Sequence, residues 1–127
     1  MSAEHYLVLS VLLTWLMIMV AAEAHTPTWT RQGARLAFGN RDQLPERSAF
    51  AHRADRAAKN MLENMVLFIG LFVAARSTGA DPELGAAIFF VARVVYFVLY
   101  LAGVAYVRSV VWMVSLLGLA HIAYQTV

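Results

Sequence analysis

Residues 53–64 read Arg53-Ala54-Asp55-Arg56-Ala57-Ala58-Lys59-Asn60-Met61-Leu62-Glu63-Asn64 and run straight into an apolar stretch, 65–75. At about 100° per residue, Arg53, Arg56, Asn60 and Glu63 fall within roughly a quarter-turn of one another on a helix, and Leu67 continues the stripe. Two guanidiniums, an amide and a carboxylate thus share one face of a helix that enters hydrocarbon a turn later. Ionisable groups at such a depth are expensive and face a bundle interior or a wet cavity. A basic collar at the membrane surface is the plainer alternative, but a collar has no need to hold Arg, Asn and Glu on one face. The stripe reads as a site for a charged ligand at the membrane surface.

A second group follows. From Leu84 to Val107 the chain carries one charge, Arg93, with Tyr96 and Tyr100 at i+3 and i+7 on the same helical face, and then Arg108-Ser109. Arg93 is the deep cation and Glu63 the intramembrane acid, so an Arg93–Glu63 pair between the second and third spans is the expected arrangement. Such a pair needs no function, and the tyrosines sit among Phe89, Phe90 and Phe97, where core packing alone accounts for them. What favours a site is convergence: Arg56, Asn60, Glu63, Arg93, Tyr96, Tyr100 and Arg108 can all point into one half of a single bundle.

The elements that must position these groups are membrane helices. The 127 residues are 61% hydrophobic and only 14% charged, with a mean hydropathy of +0.62, and apolar runs near 20 residues in such a chain mean transmembrane spans. Spans are expected at about 6–23, 61–76, 84–106 and 109–125, forming one domain over 1–127: an all-α, membrane-embedded, antiparallel four-helix bundle. Net charge is +2, with the cations clustered between Arg31 and Arg76. That clustering bears on membrane orientation and not on nucleic acid, for which no binding is expected. Cysteine is absent, which removes disulfides, a thiol nucleophile and thiolate metal ligands. No metal site, phosphate-binding glycine loop or Ser/His/Asp order stands out.

In order, the first span follows a start without Lys or Arg. Ala22-Glu23-Ala24 resembles a cleavage site, but the long apolar run favours a retained helix. Ser10 and Thr14, at i and i+4, read as hydroxyls satisfied within their own helix. The polar connection 25–44 contains Pro27, Gly33 and Gly39-Asn40, and is long enough to expect a functional role or a local helix; its Trp29 and Phe38 suit a membrane interface. Pro45 and Glu46 are expected to open the second helix, which runs to Arg76. Asp81 is the expected N-cap of the third helix, with Pro82 at its first position. The first loop carries most of the Arg and Lys and the third carries Arg108, so both are expected in the cytoplasm.

The pattern Arg53-x-x-Arg56-x-x-Lys59-Asn60-x-x-Glu63-Asn64 leading into the second span resembles the signature of the MAPEG family, the membrane-associated proteins of eicosanoid and glutathione metabolism. Arg93-Val-Val-Tyr96-Phe-Val-Leu-Tyr100 followed by Arg108-Ser109 resembles the family's third helix and its end. Gly39-Asn40-Arg41-Asp42 with Pro45 is similar to its bacterial branch. The resemblance implies a homotrimer in a bacterial inner membrane, with glutathione as co-substrate bound between subunits. It implies that Arg53, Arg56, Lys59, Asn60 and Glu63 bind the peptide, that Arg93, Tyr96 and Tyr100 line the site, and that Arg108 and Ser109 lie near the thiol as the catalytic pair. The implied activity is that of a glutathione transferase or peroxidase acting on a lipophilic small-molecule substrate that enters from lipid. Two other readings stand beside it: a small exporter of lipophilic cations using Glu63, and a membrane protein that keeps the fold without the chemistry.

Overall fold

Ser48 opens the helix that carries the charged stripe. Its side chain accepts the Ala51 N–H at 3.1 Å, which satisfies one of the free donors of a helix start, so the expected opening at Pro45 and Glu46 lies three residues too early. The computed structural model describes residues Met1–Val127 and contains five helices and no strand: α1 (Ala3–His25), α2 (Arg31–Phe38), α3 (Ala49–Thr78), α4 (Glu83–Leu101) and α5 (Tyr106–Thr126). Of the two alternatives for the long connection, a functional role or a local helix, the local helix is present as α2.

α1, α3, α4 and α5 are each long and apolar enough to cross a membrane, and they run antiparallel in sequence order. At one end Arg76 pairs with Glu4. At the other, a His25 ring nitrogen lies 2.8 Å from the Pro45 carbonyl oxygen, and Arg53 of α3 reaches the last turn of α4. Large apolar side chains face outward on every one of these helices, among them Trp15, Val66, Val98 and Leu117. A water-soluble bundle would hide such a surface, whereas lipid is its natural solvent. The chain is a multi-pass integral membrane protein with an all-α fold.

Burial along α3 recurs at 51, 54, 57/58, 61, 64/65, 68, 72 and 75, the i, i+3/i+4 spacing of one inward face. Its first half is lined with alanine, which brings the backbones of neighbouring helices close. Its second half uses Phe68, which stacks on Phe89 of α4 at 4.5 Å and meets Phe72 edge-on at 6.0 Å. In α1, Thr14 donates to the Ser10 carbonyl at 2.7 Å, as expected, but the buried Ser10 hydroxyl has no partner, contrary to the expectation that both are satisfied within the helix. α4 and α5 cross at Gly85 and Gly118, where a Cβ on Gly118 would come within 2.7 Å of the Gly85 carbonyl oxygen.

α4 ends at Leu101, five residues short of the end of the expected third span, 84–106, and residues 102–105 form the corner that leads into α5. Gly103 has φ +78°, its N–H bonds to the Tyr100 carbonyl at 3.1 Å, and the Val104 N–H reaches back to Leu99 at 3.0 Å. This closing motif consumes the last carbonyls of α4 and needs a residue free to adopt the left-handed region. The break turns the chain sharply and sets Arg108 in the first turn of α5, beside the end of α4. At the other end of α4, Pro82 occupies the cap position, one residue later than expected. The Asp81 carboxylate still accepts the Glu83 N–H at 3.0 Å.

Candidate functional site

Antiparallel packing brings the polar half of α3 against the last two turns of α4 and the first turn of α5. Arg93, Tyr96 and Tyr100 form the buried face of α4 there, as their i, i+3, i+7 spacing requires. Arg93 is fully buried. Its Nη1 donates to Asn60 Oδ1 at 2.7 Å, while Nε and Nη2 have no partner. The guanidinium lies 5.3 Å from the Phe89 ring and 5.2 Å from that of Tyr96, distances at which an aromatic face attracts a cation.

The expected Arg93–Glu63 pair is absent. Glu63 is exposed and makes no ion pair within the chain. The reason is helical phase: Asn60, one turn earlier, points across to α4, whereas Glu63 has rotated onto the outer surface of the protomer. Arg93 therefore rests on a neutral amide, and its charge is left uncompensated.

Toward the end of α4 the Tyr100 ring lies under the Arg108 guanidinium at 4.2 Å, and its hydroxyl accepts from Arg56 Nε at 3.2 Å. Tyr96 and Tyr100 meet edge to face at 5.3 Å. Asn60, Tyr96, Tyr100, Arg108, Ser109 and Trp112 enclose a cleft of about 200 Å³. Of the guanidiniums, that of Arg108 lines this cleft, while those of Arg56 and Arg93 stand behind its wall, bonded to Tyr100 and Asn60, and no acidic side chain lines it. Ser109 Oγ is turned to the Ala105 carbonyl at 3.4 Å, a long contact that it can give up. The arrangement suits an anionic ligand that also needs hydrogen-bond donors.

Three of the expected site residues stand elsewhere. Arg53 donates through Nε and Nη2 to the Leu101 carbonyl, each at 3.3 Å, and so ties the end of α4 to α3. Lys59 pairs with Asp55 at 2.9 Å in the part of α3 that precedes the apolar run. Its ammonium, by hydrogen bonding, holds the Asp55 carboxyl below its ordinary range. Glu63 faces outward, as described. Trp112 is the cleft residue that sequence reasoning missed. The signal was its i+4 spacing from Arg108, which puts both on one face of α5.

Comparison with curated proteins and with solved structures gives no match. The sequence model of the MAPEG family, by contrast, matches residues 3–127, a span that takes in α3's charged stripe, the Arg93–Tyr96–Tyr100 face and Arg108-Ser109. The chain belongs to the MAPEG family.

Proposed function

We propose that the cleft is one wall of a glutathione site and that the protein activates the glutathione thiol for attack on a lipophilic electrophile or hydroperoxide. The observation that carries this reading is the uncompensated cation cluster around Arg93, whose one acceptor is the Asn60 amide. Glutathione brings two carboxylates to meet Arg56 and Arg108 and amides to meet Asn60 and the tyrosine hydroxyls, while Arg93 lends its charge to the wall from behind Asn60. A thiol near Arg108 is drawn toward its thiolate, the nucleophilic form, because the guanidinium favours the charged state. Ser109 supplies a hydroxyl to the same sulfur. In conjugation the thiolate sulfur bonds to an electrophilic carbon, and the displaced group leaves with its bonding electron pair.

A cleft of about 200 Å³ is smaller than the roughly 300–1,000 Å³ of ordinary small-molecule pockets. This supports a second wall supplied by the neighbouring subunit of a homotrimer. The outward-facing Glu63, which has no ion-pair partner in the protomer, then meets the peptide's ammonium across that boundary, and Lys59, held by Asp55, stands beside it for the remaining carboxylate. The arginine-rich end lies in the cytoplasm of a bacterial inner membrane on this reading, and the lipophilic substrate enters sideways from lipid. A cation exporter working through Glu63 fits poorly, since Glu63 is exposed on the outer surface and the charge held inside the bundle is the cation Arg93, which repels cationic cargo.

The test is the melting temperature of the detergent-purified protein with and without millimolar glutathione. Stabilisation that grows with glutathione concentration is expected. No shift, together with loss of drug resistance on Glu63→Gln in cells, would favour the exporter.

A further inference from the structure

α2 packs against no other helix of the protomer. Its own cap holds it: Thr30 Oγ1 accepts the Gly33 N–H at 3.0 Å, and Gly33 lies tight on the Pro27–Thr30 turn. Around this isolated helix, Trp29 is 76% and Phe38 84% exposed. Arg31 and Arg35, one turn apart, are also exposed and take part in no ion pair. With Gln32 and Leu36 they bound a shallow concavity to which no other element contributes. A third guanidinium, Arg41, folds back so that Nε donates to the Ala37 carbonyl at 3.0 Å. It therefore stays at the C-terminal end of α2, where the helix dipole favours a cation.

Bare aromatic rings interleaved with cations are the surface of helices that lie in the headgroup layer, with rings at the acyl boundary and guanidiniums on phosphates. We propose that α2 lies on the membrane surface and binds anionic phospholipid headgroups through Arg31, Arg35 and Arg41, with Trp29 and Phe38 as its apolar anchors. Reach agrees. Five residues, Thr26 to Thr30, separate α1 from α2; at about 3.3–3.6 Å each they span at most about 18 Å. A turn closed by the Thr30 N–H on the Pro27 carbonyl at 3.2 Å shortens that further. α2 thus begins beside the headgroup layer of any membrane that α1 crosses. Charge argues against a two-fold contact through α2, which would set the same arginines against each other; a contact around a three-fold ring is tested by the cross-linking arm below.

The experiment titrates the detergent-purified full chain with phosphatidylglycerol or with phosphatidylcholine. It reads the part of the tryptophan emission that is missing in Trp29→Phe, so that Trp15 and Trp112 drop out. Phosphatidylglycerol is expected to shift Trp29 emission to the blue at lower lipid concentration than phosphatidylcholine. Arg31→Gln with Arg35→Gln should raise the phosphatidylglycerol midpoint about ten-fold or more without changing the melting temperature, and Lys at both positions should preserve the preference. Equal midpoints for the two lipids would overturn the proposal. So would competition by glycerol 3-phosphate as effective as the lipid itself, which would make this a site for free phosphate. Disulfide cross-linking between copies through Phe38→Cys, clean in a chain without cysteine, would identify a subunit contact instead and equally overturn it.

Discussion

Arg93 Nη1 donates to Asn60 Oδ1 at 2.7 Å, a bond between two helices in which a fully buried cation takes a neutral amide as its sole hydrogen-bond acceptor. A buried guanidinium is normally matched by a carboxylate that cancels its charge. Here the charge persists, softened by the flanking rings of Phe89 and Tyr96. That leaves a positive potential where α3, α4 and α5 meet.

Asn60→Leu removes that acceptor and leaves the guanidinium with no bond at all. Thermal melts of the ligand-free protein should lose about 1–3 kcal/mol of stability. Glu63→Gln, which breaks no bond within the protomer, should leave the same melt unchanged. Equal losses from the two variants would mean that the carboxylate partners Arg93 after all.

Arg53 and Arg56 sit one turn apart on the same stripe but do different work. Arg53→Ala frees the Leu101 carbonyl and should loosen the α4–α5 corner by about 1.5–3 kcal/mol, the range for a hydrogen bond to a charged group. Glutathione affinity at low temperature should stay within a few-fold. Arg56→Ala, which releases the Tyr100 hydroxyl at the edge of the cleft, should do the reverse. Melting temperature and calorimetric affinity, measured on both variants, separate the two roles.

The architecture was legible from the sequence because hydropathy and helical period act locally. Four apolar runs, the charged stripe on α3 and the Arg93–Tyr96–Tyr100 face all follow from spacing alone; for the 25–44 connection, length gave only the choice between a functional role and a local helix. What spacing left open was rotation between helices. Asn60 and Glu63 share a stripe, yet which of them meets Arg93 depends on how α3 turns against α4, and packing of Ala57, Met61 and Phe68 decides that. The break after Leu101 was hidden for a different reason. Gly103 sits in a run that stays apolar to Val107, so hydropathy continued across a point where backbone geometry stops the helix.

Gly118→Leu tests the α4–α5 crossing. Its side chain must displace the Gly85 carbonyl, 2.7 Å from where even a Cβ would sit. Overpacking of this kind costs about 1–3 kcal/mol. Arg108 and Tyr100 face each other across the same helix pair, so turnover should fall along with stability. An unaltered melting temperature would show that the two helices separate freely.

Arg108→Ala addresses the chemistry. On the proposed reading, a guanidinium near the thiol lowers its pKa below the free value of about 8.5, so thiolate should form at lower pH with Arg108 than without it. Without it the rise in rate with pH should move upward by about 1–3 units, and turnover near neutrality should fall while bound glutathione is still detected. Thiolate absorbance followed against pH reads this directly, and an unmoved profile would remove Arg108 from thiol activation.

The most direct measurement of the central claim is isothermal calorimetry of glutathione binding to the detergent-purified protein, beside Arg56→Ala and Asn60→Ala. Saturable binding is expected for the unaltered chain. Each substitution should weaken it by roughly ten- to hundred-fold, the equivalent of a lost charge-assisted bond of about 1.5–3 kcal/mol. Absence of binding heat at millimolar glutathione, or equal affinity in all three proteins, would contradict the assignment of this cleft to glutathione.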